Sequence, residues 1–333
     1  MSLRKLKLRN SWQNRSLKSR QEQMGQPIDN AHIGSVILTW SFKIFVLVLF
    51  GLIVIFPFYF MLSQSLVDKT WQTSPSTSDA VLWFPLKHPN GNGRAFHWEN
   101  FRDAFTSGYF ESLIFTAFIT AISVVARIFF SITFGYAFSI RKWRFKRASW
   151  LLFLSLLVLP EIALLSGQYK VVSSIHWNQY PSLIIGLMMP FVASVFSGFM
   201  YRNAFEAIPD SVRESAMIDG ASGFKFFVRV AVPMVKATTW TVAILTALAS
   251  WNSYTWALAI AGEKGDGGKG VVMNVWLTTT GRYQVPGDET TRVLLSLRMA
   301  ATVLAIAPML VVYFLLRSRI MNAISRQGRA AKG

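Results

Sequence analysis

Three ionisable side chains stand inside otherwise apolar stretches of this 333-residue chain: Arg127 within 111–140, Glu161 directly after Pro160 within 148–169, and Arg298 within 293–316. A charge so placed is costly, so it faces a protein interior or a water-filled cavity. Each admits two readings. One is structural, as an ion pair or a position near the outer interface from which the side chain snorkels to water. The other is a lining of a polar pathway. Arg127 is the deepest of the three. A second constellation is TALASWNSYTWALAI at 246–260, where Trp251, Asn252, Tyr254 and Trp256 combine aromatic faces with hydrogen-bonding tips. Sugars are bound by such sets, because their apolar ring faces stack on aromatics while their hydroxyls find amides. An aromatic belt at a membrane interface has the same composition.

Catalytic constellations are not visible in the sequence. It has no GxxxxGK[ST] phosphate loop and no GxSxG. His32, His88, His97 and His176 are scattered without ligand spacing, and Cys is absent, so neither a Cys-ligated metal site nor a disulfide framework is available. The expectation is a protein with no catalytic residue and no metal of its own.

The stretch Phe205–Lys236, FEAIPDSVRESAMIDGASGFKFFVRVAVPMVK, has the grammar of a docking element. Pro209 breaks what precedes it. Ser211 with Glu214 three residues on has capping-box spacing, so a short helix starts at Asp210 or Ser211. Asp219-Gly220 ends it, with Gly suited to a left-handed position. Ser222 caps a second short helix, with Phe224, Phe226 and Phe227 as its anchors, and Pro233 interrupts the path onward. The small DGAS turn would let a partner's groove approach the backbone. An amphipathic connector lying in the membrane interface is the alternative.

These groups need elements to hold them, and the composition says which kind. Hydrophobic residues make up 52% of the chain and charged ones only 15%, well below the roughly 25% charged of a soluble domain. Six stretches are long and apolar enough to be tilted membrane helices: 44–63, 111–140, 148–169, 182–201, 237–262 and 293–316. None alternates with period two, which argues against a transmembrane barrel. The first starts too late and runs too long for a cleaved signal peptide.

The formal charge of +18 is compatible with nucleic acid or a membrane until its distribution is read. Segments 1–30, 141–147, 202–236 and 317–333 together hold 22 basic and 6 acidic residues. The segments alternating with them, 64–110, 170–181 and 261–292, hold 9 and 8. Positive residues stay on the cytoplasmic side, so both termini and loops 141–147 and 202–236 are expected there. The domain plan is a basic arm over 1–35, a six-helix membrane domain over 36–316 with extracytoplasmic loops 64–110 and 261–292, and a tail over 317–333. The arm has only Trp12 among its basic residues, so stacking on single-stranded nucleic acid is not expected. Membrane lipid is the expected surrounding.

ESAMIDGAS followed by FFVRVAVP resembles the EAA loop of ATP-binding-cassette importer permeases, in which E-A-A is followed three residues later by G. Glu214-Ser215-Ala216 matches its first part, with Ser for the first Ala, and Asp219-Gly220-Ala221-Ser222 matches the form in carbohydrate-uptake permeases. IVIFPFYFMLSQSL at 53–66, FGYAFSIRKWRFKR at 134–147 and Trp251-Asn252-Ser253-Tyr254 are similar, in order, to further blocks of the family, and the ending Ala330-Ala331-Lys332-Gly333 resembles that of the smaller maltose-type permease subunit.

The resemblance implies an all-α inner-membrane protein with the type I importer permease fold. It implies as partners a second homologous permease subunit, two ATPase subunits that carry ATP and Mg, and an extracytoplasmic solute-binding protein. The loop Glu214–Ser222 would dock on an ATPase, with Glu214 orienting it, Gly220 forming its turn and Ala221 at the contact. The solute would be a carbohydrate, by default a neutral oligosaccharide; uronates or a sugar phosphate would suit Arg127 and Arg298. Glycerol phosphates, polyamines and an ion-gradient-driven secondary transporter are the other readings.

Overall fold

A computed structural model describes residues 33–73, 83–87, 93–139, 143–263, 270–284 and 291–330, with the side chains of 33–36, 161–162, 316 and 318–330 outside that set. The basic arm through His32, His88, Arg141 and Lys142, the glycine-rich 264–269 and the last three residues also lie outside it. The chain divides into two compact units, residues 1–59 and 60–333. The first holds most of helix α1 (Ile33–Ser65), which is apolar on every face of its sequence.

The second unit is helical. After α1 come α2 (Glu99–Ala104), joined by a π-helical turn at Phe105–Tyr109 to α3 (Phe110–Ser139), then α4 (Lys146–Ser155), α5 (Glu161–Ser174), α6 (Leu183–Val192) and α7 (Val195–Glu206). The chain continues through α8 (Asp210–Ile218), α9 (Gly223–Phe226), α10 (Lys236–Trp251), α11 (Thr255–Ala261) and α12 (Met273–Thr279) to α13 (Leu295–Ala330). A small antiparallel hairpin, β1 (Arg282–Gln284) with β2 (Thr291–Val293), precedes α13 and pairs Tyr283 with Arg292. It is an addition to the all-helical expectation.

Three helices are long and apolar enough to cross a membrane: Ile37–Ser65, Glu99–Ser139 and Leu295–Leu315. Three bent pairs raise the total to as many as six. The six apolar stretches are therefore not six continuous helices. The third breaks at Leu159-Pro160, where both residues are extended, and its halves stand at 105°; Pro160 has no N–H to continue the ladder. The fourth breaks at Ala193-Ser194 with a bend of 48°. The remaining bent pair joins Gly223–Met234 to Lys236–Trp251 at 71°, and the fifth stretch also stops at Trp251 and resumes at Thr255.

Helix α3 packs against α6, α7 and α10. Its inner face is small and polar: Ser112, Thr116, Ser123 and Ser131 are buried, and Ser250 on α10 meets Ser123 at 3.5 Å. Small side chains let membrane helices approach closely. At Gly135 an added Cβ would lie 2.5 Å from the Cβ of Tyr201 and 2.8 Å from the Arg202 nitrogen. At Gly198 it would meet the Phe134 ring at 2.5 Å.

The apolar residues collect into separate cores. One joins Ile119 of α3 to Leu183, Leu187, Trp256, Ile260 and Val275. A second joins Ile132 of the same helix to Tyr201, Phe205, Ala216, Phe226 and Val242. A third packs Tyr109, Met273 and Trp276 against Ala300, Ala301 and Leu304 of α13. Arg202 lies over the Trp150 ring at 4.2 Å, tying α7 to α4, and pairs within α7 with Glu206 at 2.8 Å.

Gly135→Ala is expected to destabilise the fold by about 1–3 kcal/mol, because main chain rather than a movable side chain must yield. Gly198→Ala should cost less, since the Phe134 ring can turn. Melting temperatures of the purified variants in one detergent check this; an unchanged value for Gly135→Ala would contradict it.

Candidate functional site

The turn after α8 is built by an identifiable local rule. Gly220 sits at φ +69, and the Ala221 N–H reaches back to the Ala216 carbonyl at 2.8 Å while the Gly220 N–H bonds the Met217 carbonyl at 3.1 Å. This pair of bonds is the Schellman arrangement, completed by an apolar contact between the residues at its ends. Here those are Ala216, buried, and Ala221, packed on the same core. The spacing of Ala216, Gly220 and Ala221 is thus a demand of the helix end. Lys225 Nζ adds a bond to the Gly220 carbonyl at 3.2 Å.

Several sequence expectations for this loop are corrected. Helix α8 does start at Asp210, but its cap residue is Pro209 and no side chain caps it, so the Ser211–Glu214 box does not form; Asp210 pairs instead with Arg213 at 3.0 Å. Ser222 occupies the cap position of α9 without making a side-chain bond. Phe226 is buried and Phe227 packs beside it, but Phe224 is 77% exposed and meets the Phe227 ring at 6.1 Å rather than the core. Ala221 faces the core rather than an outside surface. What the turn presents outward is Met217 (64% exposed) and Ile218 (86%), flanked by exposed Glu214, Ser215, Asp219 and Ser222. Sequence reading missed Met217 and Ile218, although two consecutive apolar residues before Asp219 on an otherwise polar helix are a readable signal.

The two span arginines serve helix ends. Arg127 on α3 donates from Nε to the Phe191 carbonyl and from Nη2 to the Pro190 carbonyl, the latter at 3.3 Å. Those carbonyls belong to the last turn of α6, which has no further helical N–H groups to bond. Arg298 on α13 does the same for α12, donating to the carbonyls of Thr278 (2.7 Å) and Thr280 (3.4 Å). A cation at a helix C-terminus is also favoured by the helix dipole. Glu161 opens α5, and its side chain lies outside the described residues.

The aromatic group is divided by the α10–α11 break. Trp256 is 6% exposed, and its indole N–H donates to the Gly186 carbonyl at 3.1 Å. Trp251 is half-buried, and its carbonyl accepts from Asn274 at 3.0 Å. Asn252 is exposed and donates to the Leu248 carbonyl at 2.9 Å. Tyr254 is exposed beyond the break, in the electrostatic neighbourhood of Arg282 and Arg298. Outside the spans, Arg282 bonds Glu263 at 2.5 Å, and that hydrogen bond pushes the guanidinium pKa above its ordinary value against a smaller desolvation effect.

Of these residues Trp256 lines a cavity of about 480 Å³, with Gln168 and Val171 of α5, Trp177, and Met189 and Pro190 of α6. Pockets for small molecules are of this size and mostly apolar, with a few polar groups. Gln168 and Trp177 were not foreseen; neither belongs to a local motif.

Residues 113–326 match the family model described as the binding-protein-dependent transport system inner membrane component. The chain is 45% identical over 327 residues to a probable ABC transporter permease of Mycoplasma pneumoniae, the MG189 homolog, covering 97% of this chain and 98% of that one. It is 29% identical over 178 residues to the sn-glycerol-3-phosphate transport system permease UgpE of Pectobacterium atrosepticum, covering 50% and 60%. A bacterial ABC transporter involved in import of the acidic polysaccharide alginate has a chain of the same fold, with TM-score 0.66 over 88% of this chain and 99% of that one at 18% identity.

Gly220→Val is expected to strain the αL position by about 1–2 kcal/mol, with Gly220→Asn costing less. Space is not the limit, since nothing lies within 4 Å of a Cβ there. Limited proteolysis of the loop in the folded variants reads the difference; equal cleavage rates for wild type and Gly220→Val would count against the turn geometry.

Proposed function

This chain belongs to the binding-protein-dependent transport system inner membrane components, and we propose that it forms half of a translocation pathway for a carbohydrate. As an ABC permease component it is a multi-pass membrane protein and is not itself catalytic. In the proposed complex it pairs with a second, homologous permease subunit, receives solute from an extracytoplasmic binding protein, and couples to two ATPase subunits that hold ATP and Mg. Both termini and the loop 202–236 face the cytoplasm in this reading, as the charge distribution requires.

The observation that carries the reading is the path of one broken helix. Helix α6 borders the cavity through Met189 and Pro190, and α7 leads within three residues into α8 and the exposed turn. The turn is proposed to seat Met217 and Ile218 in an ATPase groove, with Glu214, Ser215, Asp219 and Ser222 as the polar rim. Buried Ala216, half-buried Ala221 and exposed Gly220 shape the turn. An apolar pair inside a polar rim is the ordinary anatomy of a protein interface. On the solute side, Trp256, Trp177 and Gln168 offer stacking faces and an amide, with Trp251, Asn252 and Tyr254 next along the same path.

A second solute reading is glycerol phosphate, favoured by the names of several relatives 27–29% identical to this chain. Stimulation of the assembled complex's ATPase by a panel of solute-loaded binding proteins separates the two.

Ile218→Asp is expected to abolish co-purification of the ATPase subunits while the two permease subunits stay together. Retention of the ATPases at wild-type stoichiometry would contradict docking at this turn. Trp256→Ala is expected to lower uptake at least tenfold, and the milder Trp256→Phe, which keeps the ring but loses the bond to Gly186, should retain measurable uptake. Unchanged uptake by Trp256→Ala at equal expression would remove the cavity from the pathway.

A further inference from the structure

Two spans break at the boundary between the same two cores. Helix α6 packs in the cavity-side core through Leu183 and Leu187, and α7 packs in the loop-side core through Tyr201 and Phe205. The other broken span repeats the pattern in reverse order, with Val242 of α10 in the loop-side core and Trp256 of α11 in the cavity-side core. Helix α3 crosses the boundary intact, with Ile119 in one core and Ile132 in the other. Arg127 lies between those two positions.

The break at Ala193-Ser194 is built to hold two helix ends apart. Both residues are extended, at φ −108 and −151. On its α7 side Ser194 Oγ accepts the Ser197 N–H at 3.2 Å. On its α6 side the carbonyls of Pro190 and Phe191 are taken by Arg127, which comes from the unbroken helix. A few element-terminal residues that absorb backbone rotation, between packed bodies, are how domain hinges are made.

We propose that the breaks at 193–194 and 252–254 form one flexing plane between the cavity-side and loop-side cores, and that Arg127 is the positioning residue that fixes the angle of α6 across it. The inference rests on the functional reading above. The loop-side core includes Ala216 and Phe226 of the docking loop, so a displacement of that loop moves α7 as part of a packed body. Arg127 keeps the end of α6 referenced to α3 while α7 turns. Lysine retains the charge but, lacking the fork of donors, cannot reproduce the paired contact to two carbonyls.

The test uses the complete complex in lipid nanodiscs and vesicles. This chain has no cysteine, so a label pair at Ile185→Cys on α6 and Asn203→Cys on α7 reports the angle directly by pulsed electron spin resonance. The mean distance is expected to shift by more than about 2 Å between nucleotide-free and ATP-trapped states. It is expected to broaden and lose its state dependence in Arg127→Gln, with Arg127→Lys between the two. Transport per ATP hydrolysed should fall at least fivefold in Arg127→Gln, whereas Asn100→Ala, which removes a comparable cap from the Ser65 and Val67 carbonyls outside both cores, should not lower the ratio. A distance unmoved between states in the wild-type background, or equal loss of coupling in Arg127→Gln and Asn100→Ala, overturns the hinge. If Arg127→Gln does not assemble, the wild-type label pair and Arg127→Lys still decide it. Absence of ATP-driven uptake by the wild-type complex sinks the functional reading and the hinge with it, which separates that failure from an unmoved distance in a transporting complex.

Discussion

Main-chain polar groups inside a bilayer have no water to bond, and this constraint organises the molecule. A continuous helix satisfies it internally; a broken helix does not, and this chain breaks several. The breaks at 193–194 and 252–254, and several other helix ends, are met by side chains from neighbouring elements. Arg127 serves the end of α6, Arg298 the end of α12, Asn274 the end of α10, and Thr116 accepts the Met273 N–H at the start of α12 at 2.8 Å. Asn100 does the same beyond α1, donating to the carbonyls of Ser65 and Val67 at 2.9 Å. Arg127 and Thr116 lie on the unbroken α3 and Arg298 on the long α13, so those helices act as a frame.

Breaks are useful because they separate what must move from what must stay. A continuous helix from the cavity to the loop could transmit only a rigid tilt. A helix interrupted between two cores can change its angle there while both cores keep their packing, since close-packed interiors move as bodies and resist gradual deformation. The tight seam between α3 and α7 at Gly135 and Gly198 keeps the loop-side body whole. The Schellman turn at Gly220 keeps Met217 and Ile218 presented without needing a partner to order them.

Much of this was legible in the residues, and the gaps have physical causes. The apolar stretches and the side-to-side charge imbalance identified a multi-pass membrane protein, because membrane insertion depends on local composition. The turn at Gly220 was readable because its glycine, its alanines and their spacing are all local requirements of one helix end. The Ser211–Glu214 box failed because Pro209 already ends the preceding backbone and Arg213 claims Asp210. The arginines were correctly marked as unusual, but their partners are carbonyls 63 and 64 residues away for Arg127, and no spacing rule announces a non-local carbonyl. The breaks at 193–194 and 252–254 carry no proline at the break itself, so hydropathy read straight through them. The cavity was invisible for the same reason, since Gln168, Trp177 and Trp256 meet only after the chain folds.

The central claim is that ATP bound on a partner subunit drives solute through the pathway this chain helps to form. Uptake of labelled solute into sealed vesicles holding the complete complex tests it most directly, with ATP supplied on the loop side, binding protein on the other, and ionophores present to collapse every ion gradient. The account predicts concentrative uptake that persists with ionophores and disappears when the ATPase subunits are replaced by forms unable to hydrolyse ATP. Uptake that survives that replacement, or that vanishes with the gradients while ATP hydrolysis continues, would contradict it.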